Sequence, residues 1–261
     1  MDCSGGTPSG SKNFIFGYGS LIEDESRMRT TPSARYAWPV KVKGVRRGWW
    51  ARGDTSGLTT TYLGALDDPA AWCNGVIYPV TAQEIAATDE RESAGYKRCK
   101  IAPGDLTMLD GRSAPPEGDF WAYINLIPPD QLDDNLPSPR FPMVQSYVDI
   151  CVNGCLEVEG KYPTAAGFTQ DFISTTDAWS LYWVNDRLYP RRPFIYQPSA
   201  SKIDAALKAA PKTAELYYEV ELEPATWEDR KPVRPPALVA APAAAAEPAA
   251  KRGPCVWQCG G

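Results

Sequence analysis

Histidine does not occur anywhere in this 261-residue chain. Its absence excludes a Ser-His-Asp triad, a Cys-His dyad and every His-ligated metal site. General acid/base chemistry must fall to Asp, Glu, Lys, Tyr, Cys or water. Apolar stretches long enough to span a bilayer are also missing. So are the apolar core of a secretory signal at the N-terminus and any Asn-x-Ser/Thr acceptor site. No membrane association is expected. Positive charge is in short supply: 27 basic against 32 acidic residues leave a net charge of −5. That balance argues against a nucleic-acid partner, which calls for a basic face. The seven cysteines are odd in number and their spacing is not that of a dense disulfide scaffold. They read as thiols of a reducing, cytoplasmic compartment, with a plastid address left open.

What is present is ordinary globular material, 43% hydrophobic and 23% charged, enough to bury a core. Three stretches differ in character. Residues 1–12 are rich in Gly, Ser and Pro and read as a flexible leader. Residues 13–222 carry the periodic patterns of a folded domain. Residues 223–261 are an Ala/Pro-rich, low-complexity tail ending in a Cys255-x-x-x-Cys259 pair, expected to be extended and poorly ordered.

Within the domain, Phe14-Ile15-Phe16 reads as a buried strand running into the glycines of Gly17-Tyr18-Gly19-Ser20. Further strands are expected at Val40–Val42, Thr59–Leu63, Val76–Tyr78, Trp121–Ile127 and Leu216–Leu222. Thr81-Ala82-Gln83-Glu84 has the form of a capping box, opening a helix through Ile85 to about Glu92. Ile85 and Glu92 are seven residues apart, so a carboxylate shares a face with an inward-pointing aliphatic. Val144, Tyr147, Val148, Cys151, Val152, Cys155 and Leu156 follow a helical stripe, with Gly160 as its stop. Two more helices are expected over Phe168–Thr175 and Lys202–Ala209.

Two segments suit chemistry. The glycines of Gly17-Tyr18-Gly19-Ser20-Leu21 permit tight turns and close backbone approach to a ligand, and successive N–H groups can cradle an anion. Read by itself, the segment is equally an ordinary strand-to-loop turn. Asp89-Glu90-Arg91-Glu92 reads by itself as a solvated helix end. The register of Glu92 with Ile85 is the local sign of burial, and a half-buried carboxyl can act as base and then acid.

Together these segments carry a resemblance. Phe16-Gly17-Tyr18-Gly19-Ser20-Leu21-Ile22, then Trp72-Cys73-Asn74-Gly75-Val76-Ile77-Tyr78, then Asp89-x-Arg91-Glu92-x-x-Gly95-Tyr96 resemble, in order, the motifs of the γ-glutamylcyclotransferase superfamily (AIG2-like and ChaC-like proteins). The resemblance covers roughly Asn13 to Ile127. It implies an α+β fold built on a small mixed β-barrel with flanking helices. It implies that Tyr18, Gly19, Ser20 and Leu21 hold the α-amino-acid end of a γ-glutamyl group, that Glu92 is the general acid/base and that Tyr96 lines the site. It implies a small-molecule γ-glutamyl substrate cyclised to 5-oxoproline with release of an amine or amino acid, with no metal and no cofactor. The sequence departs from the family at Glu23, at Ala51 (where a histidine often precedes Arg-Gly) and at Thr88.

Rival readings attach to other features. Ser20 as a nucleophile would need a Lys or carboxylate base. Cys151 and Cys155 could join Cys255 and Cys259 around a metal, but both fall on an apolar helical stripe and read as core. Arg46, Arg47, Trp49, Trp50 and Arg52 mix cations with aromatics, read as strand packing or substrate contact, with the arginine pair free to meet a second carboxylate. The Trp183–Pro193 stretch is either a packed loop or a wall of the site. A non-catalytic binding module, with the tail docking a protein partner, and an amide hydrolase or aminoacyl transferase remain as alternatives to the cyclase.

Overall fold

The computed structural model describes residues 1–3, 12–55, 58–92, 95–191 and 199–223. Strand β1 (Asn13–Gly17) leads through a 3-10 turn (Ser20–Ile22) into helix α1 (Asp24–Thr30). Next come β2 (Trp38–Thr55), β3 (Leu58–Val80), α2 (Ala82–Glu92), β4 (Tyr96–Ile101), β5 (Leu106–Met108) and β6 (Asp119–Asn125). The second half holds β7 (Met143–Val144), α3 (Gln145–Lys161), α4 (Phe168–Thr175), β8 (Thr176–Asp177), β9 (Trp183–Asn185), α5 (Ala200–Ala209), α6 (Ala214–Tyr218) and β10 (Glu221–Leu222).

The fold is α+β. Its main sheet runs β4-β6-β1-β3-β2-β5, with β8 added to β2, and is mixed: β1 pairs parallel with β6 and antiparallel with β3. It is a curled half-barrel flanked by helices. All five residues of β1 are buried, as a central strand requires. The strands expected at Thr59–Leu63 and Val76–Tyr78 are parts of one continuous strand, β3, paired with β2 over Leu58–Asp67 and Trp72–Ile77. Register shifts between Lys43 and Val45 and between Trp49 and Ala51 interrupt that ladder. Such bulges bend and twist a hairpin, which lets this long ribbon follow the curl.

Alternation along the strands divides the core in two. Phe14, Phe16, Val40, Val42, Ile77 and Phe120 form a cluster drawn from the strands alone. Ile15, Trp49, Val76 and Tyr78 point the other way, onto Val148, Cys151 and Phe172 of α3 and α4. Helix α3 is buried on most of its circumference. Its N-terminus has no cap from Val144; instead Asp186 accepts from Ser146 N at 2.7 Å and from its hydroxyl at 2.6 Å. An acceptor there meets donors that the helix leaves free. Arg187 grips the buried Asp149 through two hydrogen bonds of 2.7 Å, tying the segment after β9 to α3. The part of Trp183–Pro193 that is described is thus packing. Gly154 allows α3 to approach the chain entering α1, since a Cβ there would sit 2.4 Å from Glu23 N.

Two expectations are corrected. Leu216–Leu222 is not one strand: Leu216, Tyr217 and Tyr218 lie in α6, and only Glu221–Leu222 pairs, with β9. Tyr217 meets Trp183 edge to face at 5.5 Å and donates to Asp204 at 2.7 Å, contacts that a helical turn supplies. Helix α3 also runs through Gly160 to Lys161. Cys3 is joined to Cys99 by a disulfide, which the cysteine spacing did not suggest, and Asp2 bridges Lys100. Cys73, Cys151 and Cys155 are buried and not in disulfides, so the latter pair is core as read. The rest of the leader, residues 4–11, and the tail from 224, with Cys255 and Cys259, lie outside the described residues. No described helix is long and apolar enough to cross a membrane.

Phe172 is fully buried, and its ring lies 3.9 Å from the Arg47 guanidinium. Phe172→Ala should lower unfolding stability by about 3–5 kcal/mol, read as the fall in denaturation midpoint at constant m-value.

Candidate active site

The turn after β1 is braced from behind. Arg47 on β2 is fully buried, and its guanidinium donates to Tyr18 O at 3.2 Å, Asn74 O at 2.6 Å and Asn74 Oδ1 at 3.1 Å. It also donates to Phe172 O at 2.8 Å, Thr175 Oγ1 at 2.9 Å and Thr176 Oγ1 at 2.8 Å. Asn74 Nδ2 in turn donates to Phe168 O at 2.7 Å. Arg47 therefore joins β2, β3, α4 and the Tyr18 turn, and does not face ligand. Arg46 pairs with Asp177 at 2.8 Å and Arg52 lies 4.3 Å from the Phe141 ring centre. The basic-aromatic cluster is strand packing, and neither Arg46 nor Arg47 lines the cavity described next.

Helix α2 presents Glu92. The capping box forms as read: Glu84 N donates to Thr81 Oγ1 at 3.1 Å and Thr81 N to Glu84 Oε2 at 2.8 Å. Ile85 is buried, and Glu92, seven residues on, keeps 24% of its side chain exposed. One turn before Glu92, Asp89 accepts from the Tyr123 hydroxyl and from Arg98 Nε, both at 2.9 Å. Those bonds fasten the end of α2 to β6 and β4. Arg91 Nε donates to Glu92 Oε1 at 2.8 Å.

Turn and helix meet across a cavity of ≈ 180 Å³. Tyr18, Gly19, Ser20, Leu21, Glu92 and Tyr96, singled out from sequence, all line it. Sequence reasoning missed Tyr78, Arg91, Tyr123 and Tyr147, which line it too. Tyr147 was visible only as one position of an apolar helical stripe; nothing in that pattern points its ring at Gly19. A Cβ on Gly19 would come within 3.1 Å of the Tyr147 hydroxyl oxygen. Tyr18 donates to Tyr123 O at 2.8 Å, which fixes its ring against β6.

Among the described residues lining the cavity, Glu92 is the one carboxylate and Arg91 the one cation. The tyrosines do not add charge near neutral pH. Burial raises the Tyr18 hydroxyl well above the ordinary phenol value, with Tyr96, Tyr147 and Glu92 adding to the effect. Burial pushes Tyr96 up to about 12, against a hydrogen bond with Asn125 and with the help of Glu92. Tyr78 and Tyr123 are raised by burial as well.

Solved structures similar to this chain include a γ-glutamyl cyclotransferase, 15% identical over 59% of this chain and 87% of that one, with a TM-score of 0.42. A γ-glutamyl cyclotransferase specific to glutathione from yeast is 14% identical over 60% of this chain and 97% of its own, with a TM-score of 0.39. An uncharacterized protein from Homo sapiens is 13% identical over 65% and 92%, with a TM-score of 0.45. No protein-family model matches the chain, and no curated protein does.

Glu23, directly after the turn, caps α1 by accepting from Ser26 N at 2.5 Å and is 3% exposed. Burial raises its pKa from 4.5 to about 7, opposed by the Ser26 N–H and reinforced by the Glu157 carboxylate. The folded state thus binds this proton more tightly than the unfolded chain. The stability it contributes is complete below about pH 4.5 and is lost as pH rises through about 7. Between pH 5 and 8 the wild type should lose up to about 3 kcal/mol relative to Glu23→Gln, measured as diverging unfolding midpoints of the two proteins.

Proposed function

We propose that this protein is a γ-glutamyl cyclotransferase-type lyase. The observation that carries the reading is the meeting of Glu92, the one carboxylate lining the cavity among the described residues, with the Tyr18–Leu21 turn and Tyr96 in a single cavity. The segment that supplies the turn and the segment that supplies Glu92 and Tyr96 are two of the three whose sequence resembles the superfamily's motifs. Nothing else in the cavity is equipped to move a proton near neutral pH: the chain has no histidine and the tyrosyl hydroxyls are held protonated.

In this reading the turn seats the α-carboxylate of a γ-glutamyl amide and Glu92 takes a proton from its α-ammonium. The freed amine attacks the γ-carbonyl carbon and forms the new C–N bond of a five-membered ring. The original amide C–N bond then breaks as protonated Glu92 gives its proton to the departing nitrogen, and the second proton of the ring nitrogen passes by way of Glu92 to the released amine, which leaves as an ammonium. The products are 5-oxoproline and an amine or amino acid. Atoms and charge balance without water or a covalent enzyme intermediate. Confinement supplies much of the rate, because effective molarities of held reactants reach about 10⁵ M or more. Neutral tyrosyl hydroxyls around the cavity offer hydrogen bonds to the carbonyl oxygen as it gains charge. A cavity of ≈ 180 Å³ is below the few hundred Å³ common for ligand sites, and suits a glutamyl-sized group with its leaving portion toward the mouth. The cytoplasmic setting stays part of the proposal, supported by the buried Cys73, Cys151 and Cys155, which form no disulfide; the Cys3–Cys99 disulfide weighs against it.

The test is 5-oxoproline release from a panel of γ-glutamyl amino acids, peptides and amines. The wild type should turn over at least one, and Glu92→Gln should lower kcat by about 10²-fold or more while retaining ligand binding. Equal rates would remove Glu92 from the mechanism. Hydrolysis to free glutamate would make the protein an amidase. Binding without any product would make it a binding module.

A further inference from the structure

The buried Arg47 does more than fill the core: it fixes which way one peptide group of the turn faces. A trans peptide points its C=O and its N–H in opposite directions, and the described chain contains no cis peptide. Tyr18 O is drawn to the core side by Arg47 Nη1. The N–H of the same peptide belongs to Gly19 and points the opposite way, away from Arg47; Gly19 itself lines the cavity, and a Cβ on it would meet Tyr147. That N–H makes no hydrogen bond to any described residue.

We infer that Arg47 is the positioning residue of the turn, and that by holding Tyr18 O it aims the Gly19 N–H into the cavity as a donor to a carboxylate oxygen of the ligand. The inference rests on the cyclotransferase reading for the identity of that carboxylate. Its geometry has a purpose beyond stability. Arg47 offers five N–H donors: Nε meets Thr176 Oγ1, the two Nη2 hydrogens have three acceptors in Asn74 Oδ1, Phe172 O and Thr175 Oγ1, and the two on Nη1 meet Asn74 O and Tyr18 O. One Nη1 hydrogen is thus committed to a backbone atom of the turn. Without it the Tyr18–Gly19 peptide is free to flip, exchanging a donor for an acceptor at the cavity wall and repelling an anion. A planar fork is needed to reach both Tyr18 O and Phe172 O, so a lysine ammonium at position 47 cannot replace it.

Tyr18-Gly19 is the only Tyr-Gly pair in the sequence. Labelling tyrosine carbonyls with ¹³C and glycine amides with ¹⁵N therefore isolates one cross-peak, that of the Gly19 amide. Titration of the full-length protein with 5-oxoproline should move this peak downfield and saturate. In Arg47→Lys the free-protein peak should already be displaced, with 5-oxoproline affinity weaker by on the order of tenfold. Leu207→Ala, a buried truncation in α5 remote from the cavity, controls for general destabilisation and should bind within about twofold of wild type. Saturable binding with an unmoved Gly19 peak overturns the inference and leaves the proposed chemistry standing. So does a folded Arg47→Lys that binds as tightly as wild type. If Arg47→Lys does not fold, the wild-type titration decides alone. A wild type that neither binds 5-oxoproline nor releases it from any panel substrate removes both readings together.

Discussion

A guanidinium cation sits in the interior of this protein without a carboxylate in ion-pair distance among the described residues. Burying a charge this way is costly unless every donor is met. The chain meets the cost with uncharged partners: three backbone carbonyls, an asparagine amide and two threonine hydroxyls converge on Arg47. Several come from the last turn of α4, where unpaired carbonyls and the helix dipole favour a cation. The Phe172 ring lies against the guanidinium and adds a cation–π contact. Loss of Tyr18 O, Asn74 O or Thr176 Oγ1 would leave a donor bare in the core, whereas Nη2 has one acceptor to spare. The relative placement of the β2–β3 ribbon, α4 and the turn after β1 is therefore specified by one side chain.

The second constraint concerns charge at the cavity. The chain has no histidine and burial raises the phenols around the cavity, so the one carboxylate lining it among the described residues, at the end of α2, is the group to which the proposed reading gives acid/base work. That helix buries a single residue, Ile85, and is held at its far end by the contacts of Asp89 with Tyr123 and Arg98. A lightly packed helix would by itself be a poor support for the proton-transfer group that the proposed reading places at its end. Bracing it one turn away from Glu92 gives the side chain a fixed origin while leaving it room beside Arg91.

Much of this was legible in the sequence, for reasons that are local. The Thr81–Glu84 capping box and the seven-residue spacing of Ile85 and Glu92 depend only on helical geometry, and α2 follows them. Helix α4 has the limits that its apolar pattern indicates. The β2–β3 ribbon was read as fragments because Asp67, Asp68 and Pro69 interrupt the alternation, although the ladder continues across Asp67. Leu216–Leu222 alternates like a strand, but the Trp183 ring and the Asp204 carboxylate make a helical turn the better use of Tyr217. The roles of Arg47 and Tyr147 were out of reach. Arg47 is defined by carbonyls as far as 125 positions away in the chain, and Tyr147 is set by the packing of α3 on the turn. Neither arrangement leaves a periodic trace.

The Cys3–Cys99 bond closes a covalent ring, and the turn, Glu92 and Tyr96 all fall inside it. The arrangement separates backbone integrity from molecular integrity. A single cut at an exposed point between the two cysteines would yield two chains on paper and still one molecule in solution, with every sequence-identified cavity residue tethered to it. A ring of this length also restricts the unfolded chain most where the long ribbon must find its register. The segment that does the chemistry in the proposed reading is, in topological terms, a loop rather than a thread.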